Sequence, residues 1–113
     1  MMTPEGKVKK VVRDLLARYK ALYAEWPVPS GYGRATIDCM GCFRGRFFGI
    51  ETKRPGGKTT PRQDISIAAL RAAGAAVFVI DGDVSELKEW LDAIERNDPY
   101  LARTQTGGGP LQT

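Results

Sequence analysis

Histidine is absent from the 113 residues of this chain. Imidazole is a common ligand of catalytic zinc and the base of serine-protease-type triads. Within this chain, therefore, zinc hydrolysis through histidine ligands, Ser-His-Asp chemistry and imidazole acid/base catalysis are all excluded. Any catalysis must depend on carboxylates, lysine or cysteine.

Long apolar runs and cysteines are also scarce. No run of eighteen apolar residues occurs, and the first residues lack the apolar stretch of a signal peptide. The two cysteines, Cys39 and Cys42, are too few for a disulfide framework. These absences predict a soluble protein of the cytoplasm with no membrane association.

The composition indicates one small folded domain with a bias towards polyanions. Hydrophobic residues make up 42% of the chain, which excludes general disorder. Seventeen basic residues against thirteen acidic ones leave a net charge of +4. Apolar periodicity ends near Asn97, and Gly107-Gly108-Gly109-Pro110 follows. We therefore expect a single domain over residues 1–96 and a flexible tail over 97–113.

Apolar spacing, caps and turn residues predict the element order αβββαβα. This order favours an α/β fold, a mixed β-sheet with helices on both faces, in which the strand, helix, strand segment 46–80 forms a right-handed parallel crossover. The first predicted elements are a helix over about 4–24, a short strand or loop at 30–33, and hairpin strands over 36–43 and 46–53. A second helix begins with the capping box at Thr60, passes through Ile65, Ala68, Ala69 and Ala72, and ends at Gly74. A strand over 76–80 and a last helix begun by Asp83 follow.

The predicted hairpin brings two acidic residues together. A two-residue turn at Arg44-Gly45 sets a register in which paired residue numbers sum to 89, so Asp38 lies opposite Glu51. Their Cβ atoms would be roughly 5 Å apart, and at an effective dielectric near 20 the repulsion is on the order of 3 kcal/mol. A shared divalent cation would offset it, and carboxylate oxygens suit Mg²⁺ or Mn²⁺.

Three further residues are candidates for this site, each with an ordinary structural alternative. Lys53 shares the face of Glu51, where it could orient a metal-bound water or simply form an ion pair. Glu5 heads the apolar stripe of the first helix and is either a third metal carboxylate or an acid placed favourably at a helix N-terminus. Gln63 occupies the third position of a capping box, and its spacing favours a backbone role over one beside the metal.

Basic residues surround the acidic pair in sequence. A negative pocket with a cationic rim is what a metal-dependent phosphodiesterase needs, although a generally basic, solvated surface would look the same. The residues of this predicted rim are Arg44, Arg46, Lys53, Arg54, Lys58 and Arg62. On a strand, Cys39 and Cys42 would point to opposite faces, which favours core cysteines over a metal or redox pair.

One stretch of the chain resembles a known family. Ile37-Asp38 with Gly41, then Phe47 to Lys58 (FFGIETKRPGGK), then Thr60-Pro61-Arg62-Gln63, is similar to the VRR-NUC domain of the PD-(D/E)XK nuclease superfamily, and the resemblance covers about residues 4–94. The proline that usually precedes the aspartate in that family is Ile37 here.

The resemblance implies a restriction-endonuclease-like core and assigns roles to residues. Asp38 and Glu51 would bind Mg²⁺ or Mn²⁺, Lys53 would assist the attacking water, and Gln63 would support the site. Glu5 matches the helix glutamate of the family and of archaeal Holliday-junction resolvases. The catalytic set that we predict is Asp38, Glu51, Lys53, Gln63 and Glu5. The predicted metal-binding residues are Asp38, Glu51, Thr52 and Glu5, and the predicted DNA contacts are Arg44, Arg46, Arg54, Lys58, Arg62 and Ser30.

Three hypotheses for function follow. The first is a metal-dependent DNA endonuclease, selective for Holliday junctions or other branched DNA; small members of the family resemble phage-borne homodimers that act in the host cytoplasm. The second is a non-catalytic DNA-binding module that uses the basic rim and keeps its acids for structure. The third is a thiol switch at Cys39 and Cys42.

Overall fold

The computed structural model describes residues 2–27 and 37–97, and these form an α/β fold with a mixed four-stranded sheet and three helices. The elements are α1 (Pro4–Leu16), β1 (Leu22–Glu25), β2 (Cys39–Phe43), β3 (Arg46–Thr52), α2 (Pro61–Ala72), β4 (Ala76–Ile80) and α3 (Ser85–Asn97). The described elements also run αβββαβα, but the first strand of this order is β1, which lies at the end of the predicted first helix and not at 30–33. The short strand or loop expected at 30–33 lies outside the described residues, as does the chain beyond Asn97.

The sheet has the strand order β1-β2-β3-β4. β1 pairs antiparallel with β2 and β2 antiparallel with β3, whereas β3 and β4 are parallel. Parallel neighbours need a crossover connection, and α2 provides it. The predicted hairpin and parallel crossover are therefore confirmed.

The hairpin turn sets the register as predicted. Arg44 and Gly45 both have positive φ, at 51° and 85°, which is the conformation of a two-residue type I′ turn. The pairs run from Phe43 with Arg46 to Cys39 with Ile50, so paired numbers sum to 89 throughout. β2 begins only at Cys39, so the predicted strand over 36–43 is too long, and Asp38 lies in a bend just before β2 instead of in a strand pair with Glu51.

Two apolar layers enclose the sheet. On one side α1 and α3 pack on the alternate side chains of the strands, and this larger core contains the fully buried Val12, Phe48 and Leu91. On the other side α2 covers the sheet more sparsely, through Ile67 against Val77 and Ile37. The predicted arrangement of helices on both faces is confirmed.

The predicted length of the first helix is wrong. α1 ends at Leu16, where tighter backbone bonds from Arg18 to Leu15 and from Tyr19 to Leu16 close its last turn. Ala21 then takes a positive φ of 61°, which no helix tolerates, and the chain continues as β1. In this strand Leu22 still packs against the larger core, so its apolar side chain does not require the helix to continue.

In α2 the apolar residues that run through the predicted helix are not the buried ones. Ile65 is 71% exposed, and Ile67 is the buried residue of the helix. The helix bounds nevertheless agree, because they depend on the capping box at Thr60 and on the positive φ of Gly74 rather than on the apolar stripe. None of the described helices is long and apolar enough to cross a membrane.

Candidate active site

The candidate site lies where β3 ends, at the edge of the sheet opposite the hairpin turn. Glu51 and Thr52 are the buried polar residues of the described chain, with 3% and 0% of their surface exposed. β3 is a central strand; its last two residues, Glu51 and Thr52, pair with β4 on one side and lie beyond the end of β2 on the other. A carboxylate in such a position must have polar partners.

Glu51 has partners from the two chain segments that follow it. The side-chain amide Nε2 of Gln63 donates a hydrogen bond of 2.7 Å to Glu51 Oε2. The ammonium Nζ of Lys53 lies 3.4 Å from the same oxygen, and only 15% of the Lys53 side chain is exposed. The predicted placement of Lys53 beside Glu51 is therefore present in the structure.

The pKa of Glu51 is raised above its ordinary value. Burial is the largest cause, because the charged form loses its hydration, and the negative charge of Asp38 is the next. The Lys53 charge and hydrogen bond act in the opposite direction without cancelling the rise. Asp38 and Glu51 are thus close enough to interact electrostatically, as the register predicts.

Asp38 is held by Thr52. The backbone N–H of Thr52 donates to Asp38 Oδ2 at 2.9 Å, and the Thr52 hydroxyl donates to the same oxygen at 2.8 Å. Beyond the end of β2, the Asp38 carboxylate therefore accepts the backbone hydrogen bond that a neighbouring strand would otherwise accept from Thr52. Thr52 was expected among the metal-binding residues, and the structure bonds its hydroxyl to Asp38.

Gln63 completes the capping box and also contacts Glu51. Its Oε1 accepts a hydrogen bond of 2.9 Å from the N–H of Thr60, and its own N–H donates to the Thr60 hydroxyl at 3.2 Å, which completes the capping box. Its Nε2 remains available for Glu51. Spacing alone had favoured only the capping role, because it carries no information on what lies across from the helix N-terminus.

Glu5 is not brought together with the acidic pair. It lies in the first turn of α1, where its Oε2 is 3.9 Å from Lys9 Nζ. Within residues 2–27 and 37–97 no group of three or more histidine, cysteine, aspartate or glutamate residues is placed to hold a metal ion. The structure thus favours the helix N-terminal role of Glu5 over ligation.

The chemistry of Asp38 and Glu51 fits a magnesium-like ion. Mg²⁺ keeps several of its waters and is commonly held by one or two carboxylates, so a third protein acid is not required. A cation would also reduce the repulsion that raises the pKa of Glu51. Asp38 and Glu51 are the residues that would hold it.

The predicted basic rim divides into two groups. Arg54, Lys58 and Arg62 are exposed in or beside the loop from β3 to α2, which is the loop that leads from Glu51 to Gln63. Arg46 begins β3 and lies five residues before Glu51, about 17 Å away at the rise of an extended strand. Arg46 and its turn neighbour Arg44 are therefore not part of a rim around the acids.

Arg44 has a structural role at the hairpin turn. Its guanidinium lies 5.0 Å from the centre of the Phe43 ring, and its Nη1 donates to the carbonyl of Glu95 at 3.4 Å. These contacts tie the turn to the end of α3. Ser30, the remaining DNA contact that we predicted, lies outside the described residues.

The two cysteines lie on opposite faces of β2, as predicted, because they are three residues apart on a strand. Cys39 is fully buried, and burial raises the pKa of its thiol to about 12. Cys42 is exposed, so the expectation of two core cysteines is wrong for this residue.

Compared with protein-family models, with curated proteins and with solved structures, the chain shows no significant match.

Proposed function

We propose that this chain is a metal-dependent DNA endonuclease of the VRR-NUC type within the PD-(D/E)XK superfamily. The observation that supports the proposal best is the placement of a buried glutamate, Glu51, between Asp38 and the partly buried Lys53. Such a group is costly to the fold and has no packing role that an apolar residue could not fill.

The residues of the site have separate tasks in this proposal. Mg²⁺ or Mn²⁺, when bound, supplies a water of lowered pKa and a Lewis acid for a phosphate oxygen. Asp38 and Glu51 hold the cation, and Gln63 fixes the carboxylate of Glu51. Lys53 orients the attacking water and stabilises the negative charge that develops on the phosphate. Arg54, Lys58 and Arg62 attract the DNA backbone to this end of the sheet.

The finer parts of the proposal concern the substrate and the assembly. We propose branched DNA, such as a four-way junction, as the substrate, cleaved by a homodimer in the cytoplasm, with a phage origin of the chain. These parts depend on the family resemblance.

The test is a cleavage assay on four-way junction, flap and linear duplex DNA with Mg²⁺, with Mn²⁺ or with EDTA. We expect metal-dependent cleavage that falls at least about 100-fold in Asp38→Asn and in Glu51→Gln. Asp14→Asn is the matched control, because Asp14 pairs with Lys10 on the exposed side of α1. Absence of cleavage of every substrate by folded protein would contradict the proposal.

A second candidate function is supported by one observation. Both acids already have protein partners, Thr52 for Asp38 and Gln63 with Lys53 for Glu51, so the pair is stabilised in part without a cation. A DNA-binding module that keeps its acids for structure would show this geometry. It predicts salt-sensitive DNA binding that EDTA does not change, with no cleavage.

A further inference from the structure

Thr52 is a buried hydroxyl in a position where an apolar side chain would pack. It lies at the end of β3 and is completely buried. Phe48, which lies on the same face of the strand, is also completely buried. Transfer of a hydroxyl into such a place is unfavourable unless it forms a hydrogen bond. The partner here is Asp38 Oδ2, at 2.8 Å.

The bond is one of two that Thr52 makes with the same oxygen. The Thr52 N–H donates to Asp38 Oδ2 at 2.9 Å. Two donors on one carboxylate oxygen restrict the rotation of the carboxylate, and therefore fix the direction in which its other oxygen points. The strand holds Thr52 rigidly, because its neighbour Glu51 and Thr52 itself both pair with β4.

We propose that Thr52 is a positioning residue for Asp38, whose hydroxyl holds the aspartate carboxylate in the orientation needed to bind the divalent cation. This inference rests on the proposed function and adds a residue to it. In this inference the Thr52 hydroxyl contacts the metal ligand Asp38 and not the cation itself, unlike the predicted role of Thr52 as a metal ligand. Hydrogen-bond partners of metal ligands commonly affect metal affinity by about 10-fold to 100-fold.

The test uses the full chain with isosteric and conservative variants. Thr52→Val keeps the shape and the N–H but removes the hydroxyl, whereas Thr52→Ser keeps the hydroxyl. Mg²⁺ affinity is measured from backbone amide NMR shifts during a titration, without DNA. We expect Thr52→Val to weaken affinity at least about 10-fold, and Thr52→Ser to restore most of the loss.

Thr59→Val is the matched control, because the Thr59 hydroxyl also donates to an aspartate, Asp64, outside the acidic pair. It should leave Mg²⁺ affinity unchanged. Denaturant unfolding of each variant separates loss of affinity from loss of fold. Thr52→Ala removes the same hydroxyl, and gives a second measurement should the valine variant not fold.

Two results would overturn the inference while leaving the nuclease proposal intact. They are a Thr52→Val protein that binds Mg²⁺ as tightly as the wild type, and a Thr52→Ser protein that binds as weakly as Thr52→Val. If the wild-type protein itself shows no shifts with Mg²⁺, the metal-dependent function and this inference fail together. That result is recognised from the wild type alone.

Discussion

At the scale of single residues, Glu51 is the buried acid of the described chain. Its side chain is 4% exposed and lies next to another acid, and the ammonium of Lys53 compensates for this only in part. The folded protein therefore favours the protonated form of Glu51 more than the unfolded chain does. This preference has a measurable consequence for stability.

Replacement of Glu51 by Gln should make the metal-free protein more stable at neutral pH. In the folded protein the pKa of Glu51 is above its ordinary value of 4.5. Between pH 4.5 and that raised pKa, the folded state therefore binds more protons than the unfolded state does. Wild-type stability should fall as pH rises through that window and stay lower above it. Glu51→Gln cannot ionise and should not show this fall.

The measurement is urea unfolding in EDTA at a series of pH values for the wild type, Glu51→Gln and the control Glu89→Gln. The free energies of unfolding of wild type and Glu51→Gln should converge below pH 4.5 and diverge above it. Glu89 is exposed on α3, and its variant should follow the wild type. A Glu51→Gln protein less stable than the wild type at pH 7 would contradict this prediction.

The acidic pair could be predicted from sequence because a single turn fixes it. Once Arg44-Gly45 is identified as the turn, every pair down to Cys39 with Ile50 follows by counting. The hydroxyl of Thr52 could not be predicted in the same way. Alternation places it on the opposite face from Glu51, and only the bend of the chain at Asp38 brings a carboxylate to it.

At the scale of elements, the close packing of β1 on β2 depends on Gly41. A Cβ at this position would lie 2.2 Å from the Tyr23 carbonyl oxygen and 2.5 Å from the Phe48 ring. Glycine is therefore required where β1, β2 and β3 meet. The backbone of β1 cannot move away without the loss of its pairing with β2.

Gly41→Ala should destabilise the protein by about 1–3 kcal/mol, because overpacking forces the backbone to shift. Amide hydrogen exchange should show the loss of protection first in β1. Gly49→Ala is the matched control on the neighbouring strand, since a Cβ there meets the flexible Cδ1 of Ile37 at 3.3 Å. Equal destabilisation by the two variants would contradict this explanation.

Caps and turns were the reliable signals for where elements begin and end, whereas apolar periodicity identified α1 and α3 but not the end of α1. The capping box at Thr60 and the turn at Arg44-Gly45 are determined by local backbone geometry, so the sequence alone predicts them. The segment from Tyr19 to Tyr23 continues a helical apolar pattern but lies past the end of α1. Its apolar residues satisfy a helix and a strand equally well, and packing on the core decides between them.

At the scale of the whole molecule, positive charge is the property that a DNA partner would meet first. The chain carries a net charge of +4, and exposed Arg54 and Lys58 in the loop from β3 to α2, with Arg62 at the start of α2, lie at the end where the acids lie. Arg44 and Arg46 do not belong to this group, because they lie at the opposite end of β3 from the acids. The division predicts which residues determine the salt dependence of binding.

The affinity for duplex DNA, measured by fluorescence anisotropy in EDTA, should fall steeply with salt. Each of Arg54→Ala, Lys58→Ala and Arg62→Ala should reduce the slope of log K against log salt by about 0.9, the value for one phosphate contact. Lys10→Ala is the control, because Lys10 pairs with Asp14 on the outer side of α1. An unchanged slope in all three loop variants would place the DNA elsewhere on the protein.

The double role of Gln63 connects the beginning of a helix to the state of the site. Its oxygen closes the first turn of α2 while its nitrogen holds the carboxylate of Glu51, so one side chain participates in both structures. A cation bound at Glu51 as proposed that displaced Gln63 would also disturb the helix start, and by thermodynamic reciprocity fraying of that turn would then change the affinity for the cation. Under the proposed function, the N-terminal turn of α2 would therefore report on occupancy of the site by a cation, readable at the Thr60 amide.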